Sequence, residues 1–530
     1  MWRDDDERPF KNAPAEYVSP FAWDGANQIV FRPVARFFAV DPAGDAVDVN
    51  AFDEVPDSSW FTNRIGRASM TPAELVRGPC GDQVLDPNAA DGTWIIDQGK
   101  SNGANPGFRV NVPGVGKFVL KVDPAGEPDR ATGATAIAAR LYHAVGFFSP
   151  CDSVVYFRPS ILTLKPGLQV TDNSGKSKPF DAAALKKVLD GASRRGDLVR
   201  MVASRWLPGK VIGPYQYSGT RDDDPNDVVP HEDRRELRGA RVLAAWLNHF
   251  DSREQNTMDV FLPGDPKNKQ SPGYVVHYIL DLGDCFGSVW AWDEISRRLG
   301  FAYYLDLPYL AEDFVTLGLI QRPWERARRE GGIFNYFSER DFDPDLWRGG
   351  YPNPAFVRMT EHDAAWMTRI LARFSDDLVD AAVDAGQYDE KSTAYLKRVL
   401  IARRDVVLRR YLNRLSPLAD VRVDGATLCA TDLARKTHVS ASTAPYHARV
   451  HSPENARHDL AVTAPDAANV CVALEHVAAD GGAPDDDASR YVVVDTWSNG
   501  APLRTHLFDL GPRRGFRLVG IERPESEPDR

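Results

Sequence analysis

The sequence predicts an α+β protein of several folding units, on three observations. At 530 residues the chain exceeds what one hydrophobic core usually serves. Its apolar pattern changes period: it alternates from Trp94 onward, turns mainly helical between about 290 and 415, and returns to short β-like runs from about 420. Clusters of Gly, Pro and Asp punctuate those runs as loops. The expected segments are an irregular N-terminal arm (1–90), a β-rich unit (91–160), a mostly helical unit (161–418) and a β-rich, sandwich-like unit (419–530).

The arm is rich in Pro, Asp and aromatics, with one helix expected near TPAELVRG, and is expected to pack on the body through Trp23, Phe31, Trp60 and Phe61. Next come WIIDQG, a loop KSNGANPG and FRVNVPGVGKFVLKVDP, which alternate as strands do. The stretch ATGATAIAARLYHAVGF reads as a helix ending near Gly146, VVYFRP and LVRMVASRWLPG as further strands. HEDRRELRGARVLAAWLNH is the clearest helix, with Leu237, Val242, Leu243, Trp246 and Leu247 at helical spacing. MDVFL and YVVHYILDLGD then read as two strands joined by PGDPKNKQSPG.

Hydrophobic content of 43% and charged content of 26% are those of an ordinary globular chain. The net charge of -11 argues against a general attraction to nucleic acid, and no nucleic-acid partner is expected. No run reaches the roughly 18 apolar residues of a membrane span, and MWRDDDERPF lacks the pattern of a signal peptide. The expectation is a soluble chain, cytoplasmic or exported with its signal absent from this sequence. Five scattered cysteines argue against a disulfide framework or a CxxC zinc site, with Cys429 and Cys471 as a candidate pair beside the alternative of two buried thiols.

The chemistry concentrates in LNHFDSREQNT. His249, Asp251, Arg253 and Asn256 follow the clearest helix, and the strand pair after them ends in Asp281-Leu-Gly-Asp284. This order resembles the protein-kinase catalytic segment, H-x-D-x-x-x-x-N followed by D-x-G. The resemblance implies a two-lobed kinase-like fold. Asp251 would be the catalytic base, Asn256 with Asp281 or Asp284 the metal ligands, Arg253 a cation near the transferring group, and His249 a brace of the loop. Upstream, Gly99, Lys100, Gly103 and Gly107 form the expected nucleotide loop, and Lys121 of KFVLK takes the place of the phosphate-binding lysine. ATP and Mg²⁺, or Mn²⁺, are the implied cofactors.

The departures are specific. The helix after Lys121 has Thr135 where a glutamate is expected, with Glu127 ahead of it; the motif is DLG rather than DFG; no APE-like segment follows. These features resemble the divergent, atypical branch of kinase-like proteins, including HipA-type and spore-coat CotH-type kinases. DEVPDSSWFTNR and WLNHFDSREQNT also resemble stretches of a family of uncharacterised bacterial proteins, which implies no activity. The expected function is an atypical phosphotransferase acting on a protein, peptide or small molecule, with AMP transfer open. The alternative is a pseudokinase or nucleotide-binding scaffold. A hydrolase finds no HExxH motif. Asp222 to Asp224 in RDDDPND, with Arg234 and Arg235, read either as a lid or as a solvated network.

Overall fold

The computed structural model describes residues 2–17, 21–38, 44–88, 93–100, 105–124, 126–171, 176–268, 270–289, 292–451, 457–477 and 484–526. The arm carries α1 (Phe21–Ala26), a π-helical turn (Asn27–Phe31), α2 (Arg32–Phe38) and α3 (Pro72–Arg77). Thr71 and Glu74 close a capping box at the start of α3. Helix at 21–38 corrects the expectation of an irregular arm there. Its inward stripe is polar, Asp24, Gln28 and Arg32 at successive i,i+4 steps, so an apolar period does not reveal it. Trp60 and Phe61 are buried as expected, whereas Trp23 and Phe31 lie exposed.

Strands β1 (Trp94–Gly99), β2 (Gly107–Val112), β3 (Gly116–Lys121), β4 (Asp152–Phe157) and β5 (Leu162–Leu164) belong to the first sheet. β6 (Gln169–Thr171) and β7 (Ser177–Pro179) form a separate ribbon, while β8 (Arg194–Arg195) and β9 (Leu198–Arg205) join the first sheet, ordered β4-β9-β3-β2-β1-β5 with β8 on β9. The sheet thus runs past residue 160, where the sequence places a boundary, because β9 inserts between β3 and β4. Its core gathers Trp94, Phe108, Phe118, Leu120, Phe157 and Met201. Helix α4 (Arg130–Val145) is buried along nearly its whole length, and α5 (Ala182–Asp190) covers the sheet's other side.

Strands β10 (Lys210–Gly213), β11 (Thr257–Pro263) and β12 (Gly273–Ile279) form a three-stranded sheet, with α6 (Arg235–Leu247) between β10 and β11. Twelve of the thirteen residues of α6 are buried, Trp246 fully so. Then come α7 (Asp293–Arg298) and α8 (Leu307–Thr316), which contribute nothing to the largest core, and α9 (Pro354–Val357), α10 (Glu361–Leu371), α11 (Asp376–Asp384) and α12 (Glu390–Leu412), which pack with α4 and α6 around it. From residue 418 a four-stranded and a five-stranded sheet share one core through Leu428, Val472, Val492 and Leu507. Among the described residues no helix is long and apolar enough to cross a membrane.

Two disulfides are present, Cys80–Cys151 and Cys429–Cys471, and Cys285 is free and buried. The first corrects the expectation of unpaired cysteines. Its partners lie 71 residues apart and meet only because the arm packs beside β4, a proximity that spacing does not encode. Cys429 and Cys471 face each other in adjacent strands. Asp222 to Asp224 do not pair with Arg234 and Arg235: Arg221 holds Asp223 and Asp259, Arg234 lies near Asp227, and Arg235 pairs with Asp53.

Candidate active site

Helix α6 ends at Asn248, whose backbone is left-handed (φ 53°) and whose carboxamide accepts from the Trp347 indole at 2.9 Å. That turn starts the polar loop 249–256. The β11–β12 hairpin then pairs Thr257 with Ile279, and the Leu280 N–H donates to the Asn256 carbonyl at 2.8 Å. The residues between Asn256 and Asp281 therefore fold outward as a hairpin and return the chain to the loop. Asp281 is left-handed at φ 51°, a backbone that a non-glycine residue rarely adopts.

Asp251 is bonded on both its backbone and its side chain. The Asn256 amide donates to the Asp251 carbonyl at 2.7 Å and to Oδ2 at 3.0 Å; Arg253 Nε lies 3.1 Å from Oδ1; the Asp251 N–H donates to Asp284 Oδ2 at 2.9 Å. Burial raises the pKa of Asp251 well above the usual carboxylate range, and the Asp284 charge adds to it against Arg253. Asp284 is raised too, first by burial and also by Asp281. The His249 ring turns away from the loop backbone: its Nδ1 meets the Tyr142 hydroxyl of α4 at 2.7 Å, while the His249 carbonyl accepts from Ser252. Burial lowers its pKa to about 4, so the ring is neutral at pH 7.

Lys121, at the end of β3, donates to Asp281 Oδ1 at 2.8 Å. Burial opposes the lysine's charge, but Asp281 and Asp152 outweigh it and raise its pKa. Lys121 in turn holds Asp281 down to about 2. Solvent still reaches 48% of the Asp281 side chain, which screens the pair. The two residues line a cavity of about 460 Å³ with Gly99, Lys100, Asp152 and Gln255, walled on its apolar side by residues that include Val119, Leu207, Met258 and Leu280. Lys100 donates to the Asn105 carbonyl at 2.7 Å, and burial beside Lys121 lowers its pKa to about 8.

The other expected loop residues divide. A Cβ on Gly99 would meet Val170 and Phe180, and one on Gly107 would lie 2.2 Å from the Leu120 carbonyl, so strand packing already requires both glycines. Gly103 lies outside the described residues. Glu127 does not reach Lys121: it pairs with Arg130 and accepts from the Val289 N–H. Arg130, at the start of α4, donates to the carbonyls of Gly283 at 2.9 Å and Cys285 at 3.1 Å. The helix thus grips the DLG turn directly.

Sequence reasoning missed three groups. Asp152 sits beside Lys121 with a pKa that burial raises to about 6, in a strand that reads as plain core. Gln255 lines the cavity, and both ends of its amide are buried without a hydrogen-bond partner; its place beside Asn256 is the signal that was available. The arm helix lies over the loop, with Asp24 3.8 Å from Arg253, Gln28 donating to Glu254 at 3.5 Å, and Arg32 paired with Glu254.

Among the described residues no three His, Cys, Asp or Glu side chains form a ready-made metal cluster. The oxygen donors of Asn256, Asp281 and Asp284 nevertheless suit a hard divalent cation that keeps several waters. Asp284 Oδ1 is buried without a hydrogen-bond partner, 3.5 Å from His249 Nε2, and an added cation would relieve the surplus of acid. Compared with known proteins, the chain matches no family model, no curated protein and no solved structure.

Proposed function

We propose that the chain is an ATP- and Mg²⁺-dependent phosphotransferase with a kinase-like, two-lobed body, in which the first sheet with α4 forms one lobe and the helices around α6 the other. The observation that carries this reading is the Lys121–Asp281 pair in the cavity, adjoining the Asp251–Asn256 loop. A cavity with an apolar wall and two half-buried lysines suits a base at one end and phosphates at the other. Lys121 and Lys100 neutralise phosphate oxygens. Asp251, its pKa raised toward neutrality, accepts the proton of an acceptor hydroxyl as that oxygen bonds to the γ-phosphorus. The bond from the γ-phosphorus to the bridging oxygen breaks, and ADP leaves with the electron pair. Asn256, Asp281 and Asp284 would hold Mg²⁺, which when bound supplies charge neutralisation. Two disulfides favour an oxidising compartment for this activity.

A scaffold that binds nucleotide without transfer is the second reading, favoured by one feature: Glu127 is engaged with Arg130 and leaves Lys121 without a helix partner. Thermal melting of the full chain with ATP, with and without Mg²⁺ or Mn²⁺, beside Asp281→Ala tests the site. Binding at a hundred times Kd stabilises by about 2.7 kcal/mol. A metal-dependent rise lost in the variant supports the site, and transfer of labelled γ-phosphate or AMP then separates the activities. No rise with any nucleotide refutes both readings.

A further inference from the structure

Two neighbouring helices turn their apolar sides to water. In the arm, Asp24 and Gln28 are buried on the catalytic loop, Gln28 to 1% exposure, while Trp23 (58% exposed), Phe31 and Phe38 point outward. Water-soluble helices do the reverse. Helix α8 has no buried residue at all, and a helix of its length gains little stability from its own backbone. Phe314 on α8 is 83% exposed, and Leu317 and Leu319 just beyond it are 86% and 84% exposed. Because α2 packs against α8, these side chains form one field, of the kind that marks an interaction surface.

The charges beside that field indicate what covers it. Glu312 and Asp313, the acids of α8, are both paired with Arg322. Beyond it Arg326, Arg328 and Arg329 are exposed, and among the described residues none has a carboxylate partner. A chain of net charge -11 thus gathers three exposed guanidinium groups without a carboxylate partner, two of them bonded to the neutral amides of Gln321 and Asn335, in the segment that follows α8. Protruding aromatic and aliphatic side chains edged by arginine are what the boundary of an anionic bilayer accepts.

We propose that the arm helix and α8 seat the protein on an anionic lipid surface. The apolar side chains enter the boundary between headgroups and acyl chains, and Arg326, Arg328 and Arg329 meet lipid phosphates. The inward face of the arm helix contacts Arg253 and Glu254, so the helix that would be seated lies directly over the candidate loop. Lipid binding itself does not depend on phosphotransfer.

Co-sedimentation of the full chain with phosphatidylcholine vesicles, with and without phosphatidylglycerol, tests this, with light scattering in lipid-free buffer alongside. Pelleting with the anionic vesicles is expected. Arg326→Ala/Arg328→Ala/Arg329→Ala should weaken it roughly a hundredfold, and Phe314→Asp/Leu319→Asp should abolish it. Both variants change exposed side chains, so their melting temperatures should match the parent. Failure of the parent to pellet with anionic vesicles overturns the proposal, as does a lipid-free dimer that the Phe314→Asp/Leu319→Asp variant dissociates.

Discussion

Asp53 and Asp251 are the same residue in opposite surroundings. Asp53 lies where the arm, α10 and the last strand converge, held by Arg235, by Arg369 at 2.8 Å and by Arg523 at 3.4 Å. Burial opposes its charge, but the three guanidinium groups outweigh burial and bring its pKa down to about 2. Asp251 is raised instead, since burial and Asp284 together exceed what Arg253 returns. One cluster has cations enough for its carboxylate, and the other has carboxylates to spare. Burial of a charge therefore says little alone; the local count of opposite charges separates a clamp from a site awaiting a ligand.

The largest test of this contrast is Asp53→Ala. Removing the carboxylate leaves buried guanidinium groups uncompensated, and we expect a loss of about 3 to 5 kcal/mol in denaturant unfolding, with any nucleotide-induced stabilisation intact. Asp251→Asn is the converse: about a thousandfold lower transfer in an ADP-release assay, with thermal stability unchanged or higher. A variant that loses folding and activity together would erase the distinction.

Acid separates the clusters next. The folded pKa of Asp53 is depressed, so its contribution is present above the ordinary value of 3.8 and is lost as pH falls toward about 2. We expect a loss of about 2 kcal/mol over that window in the parent, and none attributable to this residue in Asp53→Asn. Asp284 has the opposite sign: its raised pKa makes the ionised form costly in the folded state. Asp284→Asn should gain on the order of 1 kcal/mol at pH 8, and the gain should vanish near pH 3.5, below the ordinary value of 3.8, where the folded and unfolded parent both carry the proton. Melting curves at the two pH values decide it.

Much of the framework was legible. Alternation located the strands around 94–121, and helical spacing located α4 and α6, because both are local patterns with one buried face. The intervals from His249 to Asn256 and on to Asp281 were legible as well, since a loop between a helix and a hairpin keeps its residues together whatever the rest of the chain does. The arm helix was not, because its inward face is Asp24, Gln28 and Arg32 and its apolar face points to water. Asp152 and the Asp53 cluster were silent for another reason: their partners come from segments far apart in the chain.

Periodicity, turn residues and short spacings act within a few residues, where covalent geometry already limits the conformations, and so the strands, the long helices and the catalytic-loop candidates could be specified from the chain alone. Whether a carboxylate is clamped or left in surplus, which cysteines meet, and which helix face is covered depend on Coulomb and packing interactions. Those act over a few ångströms between residues that only the folded chain brings together.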